Sequence, residues 1–157
     1  MIKMEIERKF LPITLPFALE NGVAIKQGYL SDDPVIRVRD IGGKYFLTVK
    51  NWNEKSYGEE YETPLNEDQF HRLWHKVDMG RIMKTRHSVT IDKAVVEIDV
   101  FCAPFDGLII LEVEFDNHEV AQSFTPPDWF GKEVTGDQRF NNNYLAKHGK
   151  HDISKML

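Results

Sequence analysis

Residues 94–115 read Ala94-Val95-Val96-Glu97-Ile98-Asp99-Val100-Phe101, then a turn through Pro104 and Gly107, then Leu108-Ile109-Ile110-Leu111-Glu112-Val113-Glu114-Phe115. Apolar residues alternate with carboxylates in both halves. Successive side chains of a β-strand point to opposite faces. Each half therefore sets two like charges on one face and an apolar row on the other: Val96, Ile98 and Val100 in the first, Leu111, Val113 and Phe115 in the second. Two strands of this kind, joined by a turn, have one acidic face and one greasy face.

The period of two recurs outward from this hairpin in both directions. Strands are predicted at 2–10, 23–30, 35–40, 44–50, 58–63 and 81–89, besides 94–101 and 108–115, with Pro12, Pro16, Gly22, Pro34, Gly42-Gly43, Pro64 and Gly80 as punctuation. Charges again stand two apart: Glu5, Glu7 and Lys9; Arg37 and Arg39; Glu60 and Glu62; Lys84 and Arg86; Lys50 ends its strand. The facing rows, such as Ile36 with Val38 and Tyr45 with Leu47 and Val49, are apolar. Eight short strands at this spacing predict an antiparallel barrel or sandwich. Three helices interrupt them. One follows Asn66, with Gln69 completing a capping box and Phe70, Leu73, Trp74 and Val77 as its stripe; one follows Asn117; a third lies near 137–148. The 157 residues read as a single domain, 1–157, mostly β (α+β), with no linker.

Solvated faces usually mix the two signs. Here every two-apart pair in the later strands keeps one sign. In a closed eight-stranded barrel one face must line the lumen, and the sorted charges are expected there. Eight carboxylates against six bases leave −2, and Arg139 on the third helix brings this to −1. Buried like charges need counter-charges. Clustered carboxylates suit a hard divalent cation with oxygen ligands, and clustered Arg and Lys suit the oxygens of a polyanion. Two divalent ions would carry the lumen to +3, near balance with a triphosphate of roughly four to five negative charges. A metal-bound linear polyphosphate fits this arithmetic.

The composition excludes other classes. A net charge of −5 disfavours electrostatic nucleic-acid binding. One cysteine, Cys102, excludes an internal disulfide framework and a Cys-based zinc cluster. The longest apolar run, Leu108–Leu111, is far too short for a membrane helix, and no apolar leader opens the sequence, so the expected compartment is the cytoplasm.

The ordered set of motifs resembles a known family. Glu5-Ile6-Glu7-Arg8-Lys9, Arg37-x-Arg39, Leu47-Thr48-Val49-Lys50, Glu60-x-Glu62, Lys84-Thr85-Arg86, Glu97-x-Asp99, Glu112-x-Glu114 and Asp137-Gln138-Arg139-Phe140-x-Asn142 are similar to the pattern of CYTH domains, the triphosphate tunnel metalloenzymes. The resemblance implies an eight-stranded antiparallel barrel with a charged tunnel. It implies that Glu5, Glu7, Glu112 and Glu114 hold the metal, with Glu97 and Asp99 in support and Glu60 and Glu62 as further tunnel carboxylates. It implies that Lys9, Arg37, Arg39, Lys50, Lys84, Arg86 and Arg139 clamp the phosphates, and that Lys9, Lys50 and Tyr29 take part in catalysis, Tyr29 working with Lys50. Phe140 stands where many members carry tyrosine. Mg²⁺ or Mn²⁺, two ions, is the implied cofactor. The implied reaction is hydrolysis of tripolyphosphate to pyrophosphate and phosphate. The alternatives are a class IV adenylate cyclase, a thiamine triphosphatase, or a non-catalytic polyphosphate-binding module. A cyclase would need a shelf for adenine, for which Trp52 or Phe46 could serve.

The remaining features read as structural. His71 and His75 are four apart but lack a third ligand nearby, and they fit a solvated helix face. His87, His118, His148 and His151 are expected on the surface. Cys102 reads as a small apolar filler at a strand end. The aromatic stretch Pro126–Gly131 is expected to pack the last helix on the wall or to form a dimer contact. Three helices cover only part of an eight-stranded wall, which makes a homodimer an expectation.

Overall fold

A computed structural model describes residues 2–52 and 57–149, without the side chains of Ile2, Trp52 and Tyr57. The shelf role considered for Trp52, and His151, lie outside the described residues. The strands are β1 (Ile2–Pro12), β2 (Val23–Asp32), β3 (Val35–Ile41), β4 (Lys44–Trp52), β5 (Tyr57–Leu65), β6 (Arg81–Ile91), β7 (Ala94–Phe101), β8 (Ile109–Glu114) and β9 (Phe130–Glu133). Helix α1 spans Glu67–Trp74, α2 His118–Ser123 and α3 Asn142–His148, and a 3₁₀ turn covers Gln138–Phe140.

Eight of these strands close a ring in the order β5-β4-β3-β2-β6-β7-β8-β1, and β1 returns to β5. All pairings are antiparallel. β1 meets β5 through Ile2↔Tyr61 to Ile6↔Tyr57, and β8 through Glu7↔Glu114 to Phe10↔Leu111. The rows of like charge face the lumen and the apolar rows of β3, β4, β7 and β8 face out, with register shifts between Phe10 and Pro12 on β1 and between Tyr29 and Ser31 on β2. The ninth strand was not expected. β9 continues the ladder along the last residues of β1, with Phe10↔Glu133 and Pro12↔Phe130.

The outward apolar rows are covered by the chain itself. On the side of β1, β7 and β8, Phe10, Val96, Ile98, Leu111, Val113 and Phe130 form a buried cluster under Leu15, Phe17, Leu19, Phe124 and Trp129. Each such side chain contributes about 1.5–3 kcal/mol. Arg8 fastens this cover. It makes a double hydrogen bond to Glu133 (2.9 and 2.7 Å), donates to the Ala121 and Phe124 carbonyls, and lies 5.2 Å from the Phe10 ring. The stretch 126–131 thus packs onto β1, not onto the last helix. On the other side α1 lies over β3 and β4, with Phe70 stacked on Tyr45 and Trp74. Its capping box forms as read: Asn66 Oδ1 accepts from Gln69 N–H, and Gln69 Oε1 from Asn66 N–H. On these faces residues 13–20, 115–130 and α1 supply cover.

The inward rows are not charged along their whole length. Toward one end they turn apolar. Leu11 follows Lys9, Ile82 precedes Lys84, Phe101 follows Asp99 and Ile110 precedes Glu112. With Tyr29, Phe105, Leu108, Val134, Phe140 and Leu145 they form a second buried cluster. Phe140 and Leu145 come from the 3₁₀ turn and α3, so these two elements complete an apolar floor to the lumen on the side of β8, β1, β2, β6 and β7. Phe140 is fully buried there, where a tyrosine hydroxyl would need a partner. Gly80 lets α3 approach. It has φ +96°, and a Cβ there would sit 1.9 Å from the Ala146 carbonyl oxygen. Cys102 lies just past β7 and is exposed, contrary to the filler reading. His71 is on the exposed face of α1, and His75, which caps its C-terminus, is exposed too.

Candidate active site

Above the floor is a cavity of about 1110 Å³ lined by Glu5, Glu7, Lys9, Tyr29, Arg37, Arg39, Lys50, Glu60, Glu62, Lys84, Arg86, Glu112 and Glu114, among others. It runs past α3 to the β2–β3 turn, where Asp32, Lys147 and His148 line it and Lys147 is paired with Asp32 at 2.7 Å. The strand ring sorts these charges by side. Walking round it, β7, β8, β1 and β5 are consecutive and carry every strand carboxylate of the set. β4, β3, β2 and β6 are consecutive and carry all the bases except Lys9. The lumen has an acidic half-wall facing a basic half-wall.

Where the half-walls meet, the charges pair. At the β4–β5 seam Lys50 Nζ lies 3.0 Å from Glu5 Oε2 and 3.2 Å from Glu60 Oε2. Burial, with Glu60 next to it, pushes the Glu5 carboxyl up to about 7. Burial acts the same way on Glu60, but the Glu5 hydrogen bond and Lys50 prevail and hold it at about 2. At the β6–β7 seam Asp99 takes Lys84 at 2.7 Å and Arg86 at 2.8 and 2.9 Å, and Glu97 takes Arg86 at 2.9 Å. Lys84 is nearly sealed, and burial, offset in part by Asp99, pushes it down to about 7. Glu97 and Asp99 therefore face bases and not the cavity.

Away from the seams the charges are not matched. In the middle of the acidic half-wall, Glu7, Glu112 and Glu114 can bring one oxygen each within 4.8 Å of one another. Burial, together with Glu112, raises the Glu7 carboxyl well above the usual range. Burial opposes the ionisation of Glu112, but the hydrogen bond with Glu7 and the charge of Lys9 keep it well below that range. Two buried carboxylates this close resist ionising together. Lys9 lies 3.6 Å from Glu7 and donates to Asn141 Oδ1 at 3.3 Å. An all-oxygen donor set of this kind fits a hard divalent cation.

In the middle of the basic half-wall are Arg37 and Arg39. Arg37 Nη2 donates to Thr48 Oγ1 at 3.2 Å, and Thr48 in turn donates to Glu62. The buried Arg37 Nε has no partner among the described residues, which costs about 1–3 kcal/mol in the absence of an anion. Arg39 Nε donates to Gln27 Oε1 at 2.9 Å. Burial, then Arg37 and Arg86, push Arg39 down to about 9.

The lumen collects every implied metal and phosphate residue except three. Glu97 and Asp99 are held by bases, as above. Arg139 is exposed, with Nε and Nη2 bonded to Asp137 at 3.0 and 2.6 Å, and does not line the cavity. Tyr29 is buried, and its hydroxyl accepts from Gln27. Phe46, the other adenine shelf considered, is not among the lining residues. Gln27 carries no site signal in the sequence, because a single neutral residue in a strand has no period; Thr48 sits inside the Leu47–Lys50 motif and Asn141 beside Asn142, but neither bears a charge that marks a role. The run Asn141-Asn142-Asn143, all lining the cavity, was the visible hint.

Comparison with known proteins agrees with this geometry. The model of the CYTH domain matches residues 3–133. The chain is 42% identical to an inorganic triphosphatase of Nitrosomonas europaea over 146 residues, covering 90% of this chain and 96% of that one. It is 34% identical over 149 residues to an inorganic triphosphatase of Acetivibrio thermocellus, covering 92% and 94%. The crystal structure of the inorganic triphosphatase NE1496 superposes with a TM-score of 0.68 at 40% identity, covering 91% of this chain and 94% of that one.

Proposed function

This chain belongs to the CYTH family, and we propose that it is a metal-dependent inorganic triphosphatase that hydrolyses tripolyphosphate to pyrophosphate and phosphate in its barrel lumen. The observation that carries the reading is the pair of unmatched half-walls. Three carboxylates stand together on one side, and two arginines without carboxylate partners among the described residues stand on the other. A metal-bound linear polyanion satisfies both at once, which neither a lone phosphate nor a lone cation does.

We assign Glu7, Glu112 and Glu114, with Glu5 beside them, to Mg²⁺ or Mn²⁺, in two ions. When bound, the metal withdraws charge from phosphate oxygens and favours a hydroxide-like water. Glu97 and Asp99 support the site by holding Arg86 and Lys84. Glu60 and Glu62 are the further lumen carboxylates, tied to Lys50 and Thr48. Arg37, Arg39, Lys84 and Arg86 take the phosphate oxygens; Arg139 is paired with Asp137 at the cavity's edge and does not itself line it. Lys9 and Lys50 stand where acid meets base and offset the charge that builds on the bridging oxygen. Tyr29 donates its hydroxyl proton to a phosphate oxygen. The water oxygen bonds to the terminal phosphorus, the bridging P–O bond breaks, its electron pair leaves with pyrophosphate, and the proton of water passes to a lumen carboxylate.

The test is a parallel assay of tripolyphosphate, ATP and thiamine triphosphate with Mg²⁺ and with Mn²⁺, scoring phosphate, pyrophosphate and cyclic AMP. Equal phosphate and pyrophosphate from tripolyphosphate, at the highest kcat/KM of the three, is the expected result. Cyclic AMP from ATP, or a higher kcat/KM for thiamine triphosphate, would replace this reading. Binding of tripolyphosphate without turnover under either metal would reduce the protein to a binding module.

A further inference from the structure

A cluster of neutral amides joins β2 to α3 and has no part in the roles above. Gln27 is fully buried on β2. Its Oε1 accepts from Arg39 Nε at 2.9 Å, and its Nε2 donates to the Tyr29 hydroxyl at 2.8 Å and to Asn142 Oδ1 at 3.2 Å. The same Asn142 oxygen accepts from Lys84 Nζ at 3.0 Å. The orientation of both amides follows from chemistry. Arg39 and Lys84 can only donate, so each must face an amide oxygen. That leaves the Gln27 nitrogen for Tyr29 and Asn142. The Tyr29 oxygen is then an acceptor within the cluster, and its own proton is left to donate elsewhere.

The choice of amide over carboxylate has an electrostatic consequence. Arg39 is crowded by Arg37 and Arg86, which with burial weaken its hold on its proton. A carboxylate at position 27 would relieve that crowding but cancel the charge that an anion needs. An amide oxygen restrains the guanidinium and leaves its charge in place. Arg39, Lys84, Tyr29 and Asn142 all line the cavity, whereas Gln27 lies behind them.

We propose that Gln27 is a positioning residue for the triphosphate: together with Asn142 it aims Arg39, Lys84 and the Tyr29 hydroxyl at the phosphate oxygens, and as a neutral acceptor it leaves the positive charge of Arg39 available to the substrate. This rests on the reading of the lumen as a triphosphate site.

The test is Gln27→Glu, a near-isosteric change that keeps the acceptor for Arg39, cancels its charge, and replaces the donor facing Tyr29 and Asn142 by an acceptor. Tripolyphosphate binding is measured by calorimetry in Mg²⁺, beside turnover and thermal unfolding. The dissociation constant and KM should rise about tenfold or more, equivalent to about 1.4 kcal/mol. kcat should fall much less, and the Mg²⁺ concentration giving half the maximal rate should not move, since the acidic half-wall is untouched. Wild-type affinity in the variant overturns the proposal, as does lowered thermal stability with unchanged KM, which is the mark of a merely structural role. Should Gln27→Glu fail to fold, Asn142→Asp decides the same question, because a carboxylate is tolerated at the first residue of a helix; unchanged affinity there also overturns it. The wild-type arm separates the two readings. Binding without hydrolysis ends the triphosphatase reading and leaves the ratio of affinities to judge Gln27, whereas wild-type protein that does not bind tripolyphosphate ends both.

Discussion

Arg39 shows how a single side chain can be costly to the empty fold and useful to the loaded one. It stands beside Arg37 and Arg86, and it donates its Nε hydrogen bond to a neutral amide oxygen, that of Gln27. A charge-assisted hydrogen bond is worth about 1.5–3 kcal/mol, so Arg39→Ala should lower kcat/KM for tripolyphosphate by about 10- to 100-fold. The melting temperature should stay within a few degrees, since a like-charge contact is lost along with the bond to Gln27. Unchanged turnover would remove Arg39 from the clamp. On the opposite wall, Glu112→Gln with Glu114→Gln takes two of three clustered carboxylates away. Metal-dependent hydrolysis should fall to background at any Mg²⁺ or Mn²⁺ concentration tried, and full activity would clear these residues of metal binding.

Two elements hold the site from outside. α3 brings Asn142 to Lys84, and it can do so because Gly80 has no side chain under Ala146. Gly80→Ala combines a positive φ, costing about 1–2 kcal/mol, with a backbone clash. It should lower both the melting temperature and the affinity for tripolyphosphate; a change in stability alone would mean that α3 is not needed for binding. β9 is held by Arg8, whose hydrogen bonds with Glu133, ahead of the opposing effect of burial, keep that carboxyl below its usual range. A depressed folded value adds stability at pH above the unfolded value of about 4.3, and the gain disappears as pH falls through the folded one. The urea midpoint of wild type should therefore exceed that of Glu133→Gln at pH 7, and the gap should close as pH falls through the folded value. A gap independent of pH would assign the effect to packing. β9 itself was not legible in the sequence. Four residues, Phe130–Glu133, are too few to show a period, and their partner on β1 is more than 100 residues away. The helix read at 137–148 is in fact a 3₁₀ turn and a helix, broken at Asn141 in an extended conformation. The eight barrel strands were legible because each carries a clean alternation, and α1 because Asn66 and Gln69 stand at capping distance.

At the level of the barrel, the sequence showed that charges come in pairs of one sign but not that the pairs gather into half-walls. That depends on which strands are neighbours, and β2 beside β6 or β1 beside β5 joins segments far apart in the chain. The apolar floor was equally hidden: Leu11, Ile82, Phe101 and Ile110 lie on the charged rows, and only closure of the ring brings them together. The half-walls make metal and anion mutually dependent. With Mg²⁺, tripolyphosphate at a hundred times its dissociation constant should stabilise the fold by about 2.7 kcal/mol, raising the melting temperature by about 5–10 °C for a domain of this length. With the metal chelated the rise should be clearly smaller, and an equal rise would mean that the two half-walls act separately.

The strict in-and-out alternation also limits how this chain can change in length. Losing Val38 would make Arg37 and Arg39 neighbours and so put them on opposite faces, one in the lumen and one outside. Turns are free of that rule. At Gly42 and Gly43, where the backbone doubles back at positive φ, an insertion shifts neither flanking row. A residue inserted at this hairpin tip should therefore leave the lumen and its turnover intact, whereas one inserted within β3 should abolish turnover.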